Sequence, residues 1–151
     1  MHWMFLPFRR YAEFSGRSRR MEYWMFMLLN VIVAVVVIGL KFATGDAEAA
    51  LLADPGNPLA IYGWMFSGVG LILALWWLAT LVPHIALNVR RLHDRDMSGW
   101  WYLGFVVAGF IPFLNLLTSI AYLVLMLLPG TPGPNRFGED PKGAAAPDVF
   151  A

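Results

Sequence analysis

The sequence predicts an all-α integral membrane protein, a small bundle of about three transmembrane helices, and three observations carry that expectation. Apolar residues fill 59% of the 151 positions and charged residues 14%, against about 45–50% and about 25% in a soluble domain; mean hydropathy is +0.60. Asp, Glu, Lys and Arg are absent from Tyr23 to Leu40, from Pro55 to Val89 and from Met97 to Asn135. Roughly 20 predominantly apolar residues cross about 30 Å of hydrocarbon, so each run offers enough length for a span. Basic residues are also one-sided: Arg9, Arg10, Arg17, Arg19 and Arg20 precede the first run and Arg90, Arg91 and Arg95 follow the second, while 44–60 holds no Lys or Arg. The positive-inside rule then puts the N-terminus and the segment 90–99 in the cytoplasm.

Residues 1–22 read as an interfacial segment, with aromatic side chains interleaved with Arg9 and Arg10 and with Pro7 suited to the first turn of a short helix. The first span is expected at 23–43, opened by the interface anchors Tyr23 and Trp24, with Ser18 placed to cap its helix. Lys41 would snorkel at its far end, and Asn30 would hydrogen-bond to another helix. "GDAEAALLADPGNP", 45–58, is a loop marked by Pro-Gly and Asn-Pro. A second span follows at 59–82 with Trp64 as its anchor, and 83–99 reads as a cytoplasmic loop, entered by a helix emerging into water. The third stretch, 100–128, is anchored by Trp100 and Trp101, with Ser98 as its cap. As one helix it would be about 43 Å long, more than a single crossing, and Pro112 lies near its middle. One Pro-kinked span is the expected form; the alternative is a re-entrant hairpin, which makes four helices. A turn-rich tail occupies 129–142, completing a single membrane domain at 1–142, and an Ala/Pro-rich, disordered end occupies 143–151.

The densest chemistry lies in "RRLHDRDMSGWW", Arg90 to Trp101. At helical spacing Arg90 and Arg91 both reach Asp94, a pairing that would neutralise a loop lying against the membrane. Arg91 and Arg95 would share a face with His84 and Asn88, and guanidinium forks on such a face suit a phosphate or lipid headgroup. Catalysis is a weaker reading. Metal sites need several ligands at suitable spacing, and His2, His84 and His93 form no HExxH, while cysteine is absent. Ser98-Gly99 is no GxSxG elbow. The tail, "PGTPGPNRFGEDP", has no phosphate-loop lysine, yet its turns carry Asn135 and Arg136 and are suited to docking on other loops.

Three segments, "FSGRSRRMEYW" (Phe14 to Trp24), "RRLHDRDMSGWW" and "PGTPGPNRFGEDP" (Pro129 to Pro141), make the chain resemble the bacterial membrane family known as domain of unknown function 805. The resemblance brackets nearly the whole chain. It implies a small integral protein of the bacterial cytoplasmic membrane and supplies no catalytic residues. By motif match Gly16, Arg17, Ser18, Glu22, Tyr23, Trp24, Arg91, His93, Asp94, Ser98, Trp100, Trp101, Gly130, Asn135, Gly138 and Pro141 stand at the family's characteristic positions. Phe137 stands where the family often has tyrosine.

The functional expectation is a non-enzymatic, multi-pass inner-membrane protein with a cytoplasmic N-terminus, no cofactor and no metal. Its Arg/His/Asp-rich face would bind lipid headgroups or a partner protein through Arg17, Arg20, Glu22, Arg91, His93, Asp94, Arg95, Asn135 and Arg136. Its partners would be membrane lipids, further copies of itself or another membrane protein; no nucleic-acid motif is present. One alternative is a small transporter or channel subunit acting as an oligomer, motivated by Asn30, His84, Asn88, Pro112 and Asn115 in or near the spans. A second is a membrane-bound hydrolase using His93 and Asp94.

Overall fold

The computed structural model describes residues 2–44, 57, 59, 62–63, 66 and 68–143. Among these lie five helices and no strand: α1 (His2–Arg9), α2 (Arg20–Ala43), α3 (Gly70–His93), α4 (Trp100–Gly109) and α5 (Pro112–Leu127). Trp64, the loop at 45–58 apart from Asn57, and the end beyond Gly143 lie outside the described residues. The chain divides into two compact units, Met27–Leu81 and the combination of Met1–Phe26 with Val82–Ala151.

The unit Met27–Leu81 is built on apolar helix. α2 and α3 have 24 residues each, about 36 Å of helix, long and apolar enough to cross a membrane. Trp76 Nε1 donates to Asn30 Oδ1 at 3.0 Å, so Asn30 makes the interhelical bond expected of it. Thr80 returns its hydroxyl to Trp76 O at 2.8 Å. Lys41 does not snorkel outward; it is 3% exposed, inside the fold.

The other unit places the polar segments. α1 carries Pro7 in its second turn, fully buried, instead of at the first turn. A turn through Gly16, whose φ of +79° favours glycine, leads to α2. Ser18 does not cap that helix: its N–H donates to Arg90 O at 3.2 Å and its hydroxyl accepts from Arg90 Nε at 2.8 Å. The segment 83–93 is helix, as a helix emerging into water requires, but it is not wetted. α3 runs unbroken through Pro83, and the turns beyond it are the best buried among the described residues, with Ala86, Leu87, Arg90, Arg91 and Leu92 all at 0% exposure. The helix closes on a Schellman arrangement: Asp96 N–H donates to His93 O and Met97 N–H to Leu92 O, both at 3.0 Å, with Asp96 at φ +57°.

The third apolar stretch is two helices and not one kinked helix. Ile111 takes an extended conformation (φ −90°, ψ 114°), as the residue before a proline prefers, and Pro112 opens α5 where its missing N–H costs nothing. The chain then reverses: Tyr122 on α5 lies 6.1 Å from Tyr102 and 5.3 Å from Phe105 on α4, ring to ring. Asn115 Nδ2 closes the bend by donating to Gly109 O at 2.6 Å. Ser98 caps α4 only loosely, accepting from Trp100 N–H at 3.4 Å, since the N-cap position falls on Gly99.

The buried arginine knot and its outer rim

Three sequence-distant segments meet in this unit, and Arg17 ties them. Its Nε donates to Asp94 Oδ1 at 3.0 Å, its Nη1 to Gly133 O at 2.6 Å and its Nη2 to Thr131 O at 2.6 Å. Asp94 gives its second oxygen to Arg91, the i,i+3 pair the sequence suggests, and its backbone oxygen accepts from Thr131 N–H at 2.8 Å. Gly130 passes directly against this carboxylate; a Cβ there would overlap it, so only glycine fits.

Arg90 faces Glu22 in place of Asp94. Its Nη2 lies 3.0 Å from Glu22 Oε1, and its Nη1 donates to Arg10 O at 3.2 Å and to Glu13 O. Arg90, Arg91, Glu22 and Asp94 are all under 5% exposed. Burying such charges is costly unless they are paired and hydrogen-bonded, and this knot meets that condition with backbone carbonyls as well as carboxylates.

A second set of arginines serves α5. Arg20 Nη1 donates to Leu127 O at 3.0 Å, Arg91 Nη2 to Met126 O at 3.4 Å and to Leu128 O, and Arg95 Nη1 to Pro129 O at 2.5 Å. The last carbonyls of a helix have no partner within it and carry its negative dipole end, so Arg20 and Arg91 satisfy both needs there, while Arg95 holds the chain just beyond the helix. Nε of Arg91 and of Arg95 are buried and find no hydrogen-bond partner among the described residues.

His93 stacks on Phe137 with centroids 3.9 Å apart and planes 3° from parallel. Its Nδ1 lies 3.1 Å from Gly16 O, an acceptor only, so Nδ1 carries a proton. Burial, with Arg136 nearby, holds the imidazole pKa below its ordinary 6.5, against the opposing pull of the Gly16 bond. Asn135 Nδ2 reaches His93 O at 2.9 Å and its Oδ1 accepts from Phe137 N–H at 2.9 Å, which docks the tail on the end of α3.

The structure thus gathers Arg17, Glu22, Arg91, His93, Asp94 and Asn135 but spends them on one another. The expected phosphate-holding face of His84, Asn88, Arg91 and Arg95 is covered, because Asn88 takes the Tyr122 hydroxyl and bonds back to His84 O at 2.8 Å. Arg136 is exposed and pairs with Asp96 at 3.1 Å. Of the expected anchors, Trp100 and Trp101 are 78% and 57% exposed, whereas Tyr23 is buried at 5%, edge-on to Trp24 at 5.2 Å. Sequence reasoning missed Arg90 as the partner of Glu22, the carbonyls at 131 and 133, and two outer cations, Arg19 and Lys142. Arg19 donates to Pro141 O at 2.6 Å and lies 5.5 Å over the Trp3 ring. Among the described residues no three His, Asp or Glu side chains gather to hold a metal ion.

The family described as "Protein of unknown function (DUF805)" matches residues 11–139, from the turn after α1 to the last glutamate of the tail. The chain is 38% identical over 142 residues to inner membrane protein YhaI of Escherichia coli (strain K12), covering 94% of this chain and 97% of that protein. It is 37% identical over 143 residues to inner membrane protein YhaH of the same strain, covering 94% and 98%. No solved structure matches the chain.

Proposed function

The chain belongs to the DUF805 family, and from that premise we propose that it is a multi-pass, non-enzymatic protein of the bacterial inner membrane whose cytoplasmic cap binds lipid headgroups. α2 and α3 cross the bilayer, and α4 and α5 form a re-entrant hairpin entering from the cytoplasmic side. The observation that carries this reading is the convergence on Arg17: the N-terminal segment, the turn after α3 and the tail are bonded together, so all three lie on one side of the membrane. Arginine counts make that side cytoplasmic.

Hairpin lengths support the re-entrant form. α4 has 10 residues and α5 has 16, about 15 and 24 Å of helix, short of the roughly 30 Å of a crossing. Its tip is apolar and outward, with Phe110 83% and Phe113 92% exposed, and the Asn115 bond to Gly109 O removes a carbonyl that hydrocarbon could not satisfy. Within the cap, the knot is internal and structural, and headgroup binding falls to the rim of Arg19, Arg20, Arg95 and Lys142. A hydrolase reading has little to stand on, since both Asp94 oxygens face guanidinium groups. Asn30, Asn88 and Asn115, which motivated a channel, are each engaged in a hydrogen bond.

Single cysteines test this topology, since the chain has none of its own. With a membrane-impermeant thiol reagent, Glu139→Cys should label only after cells are broken, and Phe113→Cys should stay unlabelled in both conditions. Labelling of position 139 in intact cells would overturn the reading.

A further inference from the structure

The arginines of the cap fall into two classes. Arg10, Arg17, Arg90, Arg91 and Arg136 each have a carboxylate. Among the described residues Arg19, Arg20 and Arg95 hydrogen-bond to carbonyl oxygens, those of Pro141, Leu127 and Pro129, which fix the guanidinium groups without neutralising them. Arg19 and Arg20 line a cleft of about 550 Å³ between the start of α2 and the end of α5, together with Lys142, Met21, Trp24 and Leu127.

We propose that this cleft binds the phosphate of an anionic membrane phospholipid, with an acyl chain running over Met21, Trp24 and Leu127. The proposal rests on the preceding reading that this end of the molecule meets the cytoplasmic leaflet. Among the described residues three cations and no carboxylate line the cleft. The adjoining cleft shares Arg19, Arg20 and Lys142 and adds two carboxylates, Asp94 and Asp140, each with hydrogen-bond partners of its own. Asp94 is held by Arg17 and Arg91; Asp140 accepts from the Gly133 and Lys142 amides at 3.2 and 2.8 Å.

The apolar half separates a lipid from a free anion. Met21 is 57% and Leu127 51% exposed, which suits a wall that continues into hydrocarbon, and the cleft volume lies in the range of small-molecule sites. A guanidinium already positioned by a carbonyl loses little freedom on meeting a phosphate, and its fork matches two phosphate oxygens.

The test uses the full chain in phosphatidylcholine nanodiscs with and without phosphatidylglycerol, counting retained phosphatidylglycerol by native mass spectrometry. Wild type should retain it. Arg20→Ala with Lys142→Ala should weaken retention about 30-fold, from about 1 kcal/mol per basic residue, and Lys142→Glu alone, on an exposed side chain, should weaken it without altering the melting temperature. Arg136→Ala, outside the cleft, should leave it unchanged. If wild type shows no preference for phosphatidylglycerol, the headgroup-binding reading and this site fall together. If wild type retains the lipid and the Arg20 and Lys142 variants retain it equally, only the site falls. Inorganic phosphate binding as tightly as the lipid, with the same losses in the variants, would overturn the acyl half and leave a site for a free anion.

Discussion

The cap of this protein encloses charged side chains, and its hairpin leaves apolar ones open. In the cap, Arg90 and Arg91 are wholly enclosed, and Glu22 and Asp94 nearly so, each facing a charge of opposite sign. In the hairpin, Phe110, Phe113, Leu116 and Leu117 are 63–92% exposed. A water-soluble protein shows the reverse distribution, since charged residues are almost never fully buried unless paired and large apolar patches seldom stay open. The contrast is what two solvents acting on one chain would produce: on the proposed topology hydrocarbon removes the drive to hide the hairpin's apolar side chains, and the cap is held by polar bonds whose alternative is hydration.

The comparison breaks most sharply at Arg90. Arg90→Ala should destabilise the protein by about 3 kcal/mol, because it leaves the buried Glu22 carboxylate with only the more distant Arg10 Nη1, at 3.9 Å; thermal unfolding in detergent measures it. Replacing both partners, Arg90→Met with Glu22→Leu, should recover most of that loss. If the single variant melts like wild type, the knot does not hold the cap.

Gly130→Ala tests the knot by shape, with no change of charge. Its added methyl overlaps the Asp94 carboxylate, and forced overpacking of this kind costs about 1–3 kcal/mol. Limited proteolysis should then cut the tail between Pro129 and Pro141 faster than in wild type.

On the hairpin side the expected effect is smaller. Asn115→Leu removes the amide that closes the bend on Gly109 O, worth about 1 kcal/mol, in line with single side-chain hydrogen bonds inside membranes. Hydrogen exchange at residues 109–115 should rise while the cap stays protected.

The smallest effect is pH-dependent and sharpens the cap's dependence on neutral His93. Its folded pKa lies below the ordinary 6.5, so the unfolded chain binds the extra proton more readily. Stability from this group is therefore complete above about pH 6.5 and is lost as acidification proceeds from there through the lower folded value. His93→Gln should flatten that slope in melts recorded from pH 7.5 to pH 5. An unchanged slope would remove His93 from the account.

How much of this the sequence discloses depends on the range of the interactions involved. The long apolar helix of the first expected span, 23–43, is found as Arg20–Ala43 and is legible because an uncharged run answers to one local rule. The break before Pro112 is legible too, but a proline in a kinked helix and a proline at the first position of a new one look alike in sequence. What separates them is a reversal that brings Tyr122 back to Tyr102. Residues 83–93 misled for the same reason: a helix rich in His, Asn and Arg reads as wetted unless its partners are known, and Ser18 and Glu22 lie about 70 positions away in the chain. The three motifs were visible singly. Their meeting was not, because nothing local to Arg17 names Thr131 or Gly133.

That separation along the chain also sets an order in time. Arg17 leaves the ribosome 77 residues ahead of Asp94 and 114 ahead of Thr131, the carbonyl its Nη2 needs. Until the tail is made, the guanidinium has Asp94 at most and neither of its carbonyl partners, Thr131 O and Gly133 O, and the carboxylate lacks the glycine that later lies against it. On the proposed topology both long helices would enter the bilayer in that interval with the cap still open. Closure then comes from a later-made segment locking an earlier one, so a chain halted at the end of α5 would be left unsealed, its first arginines wet and open to proteases.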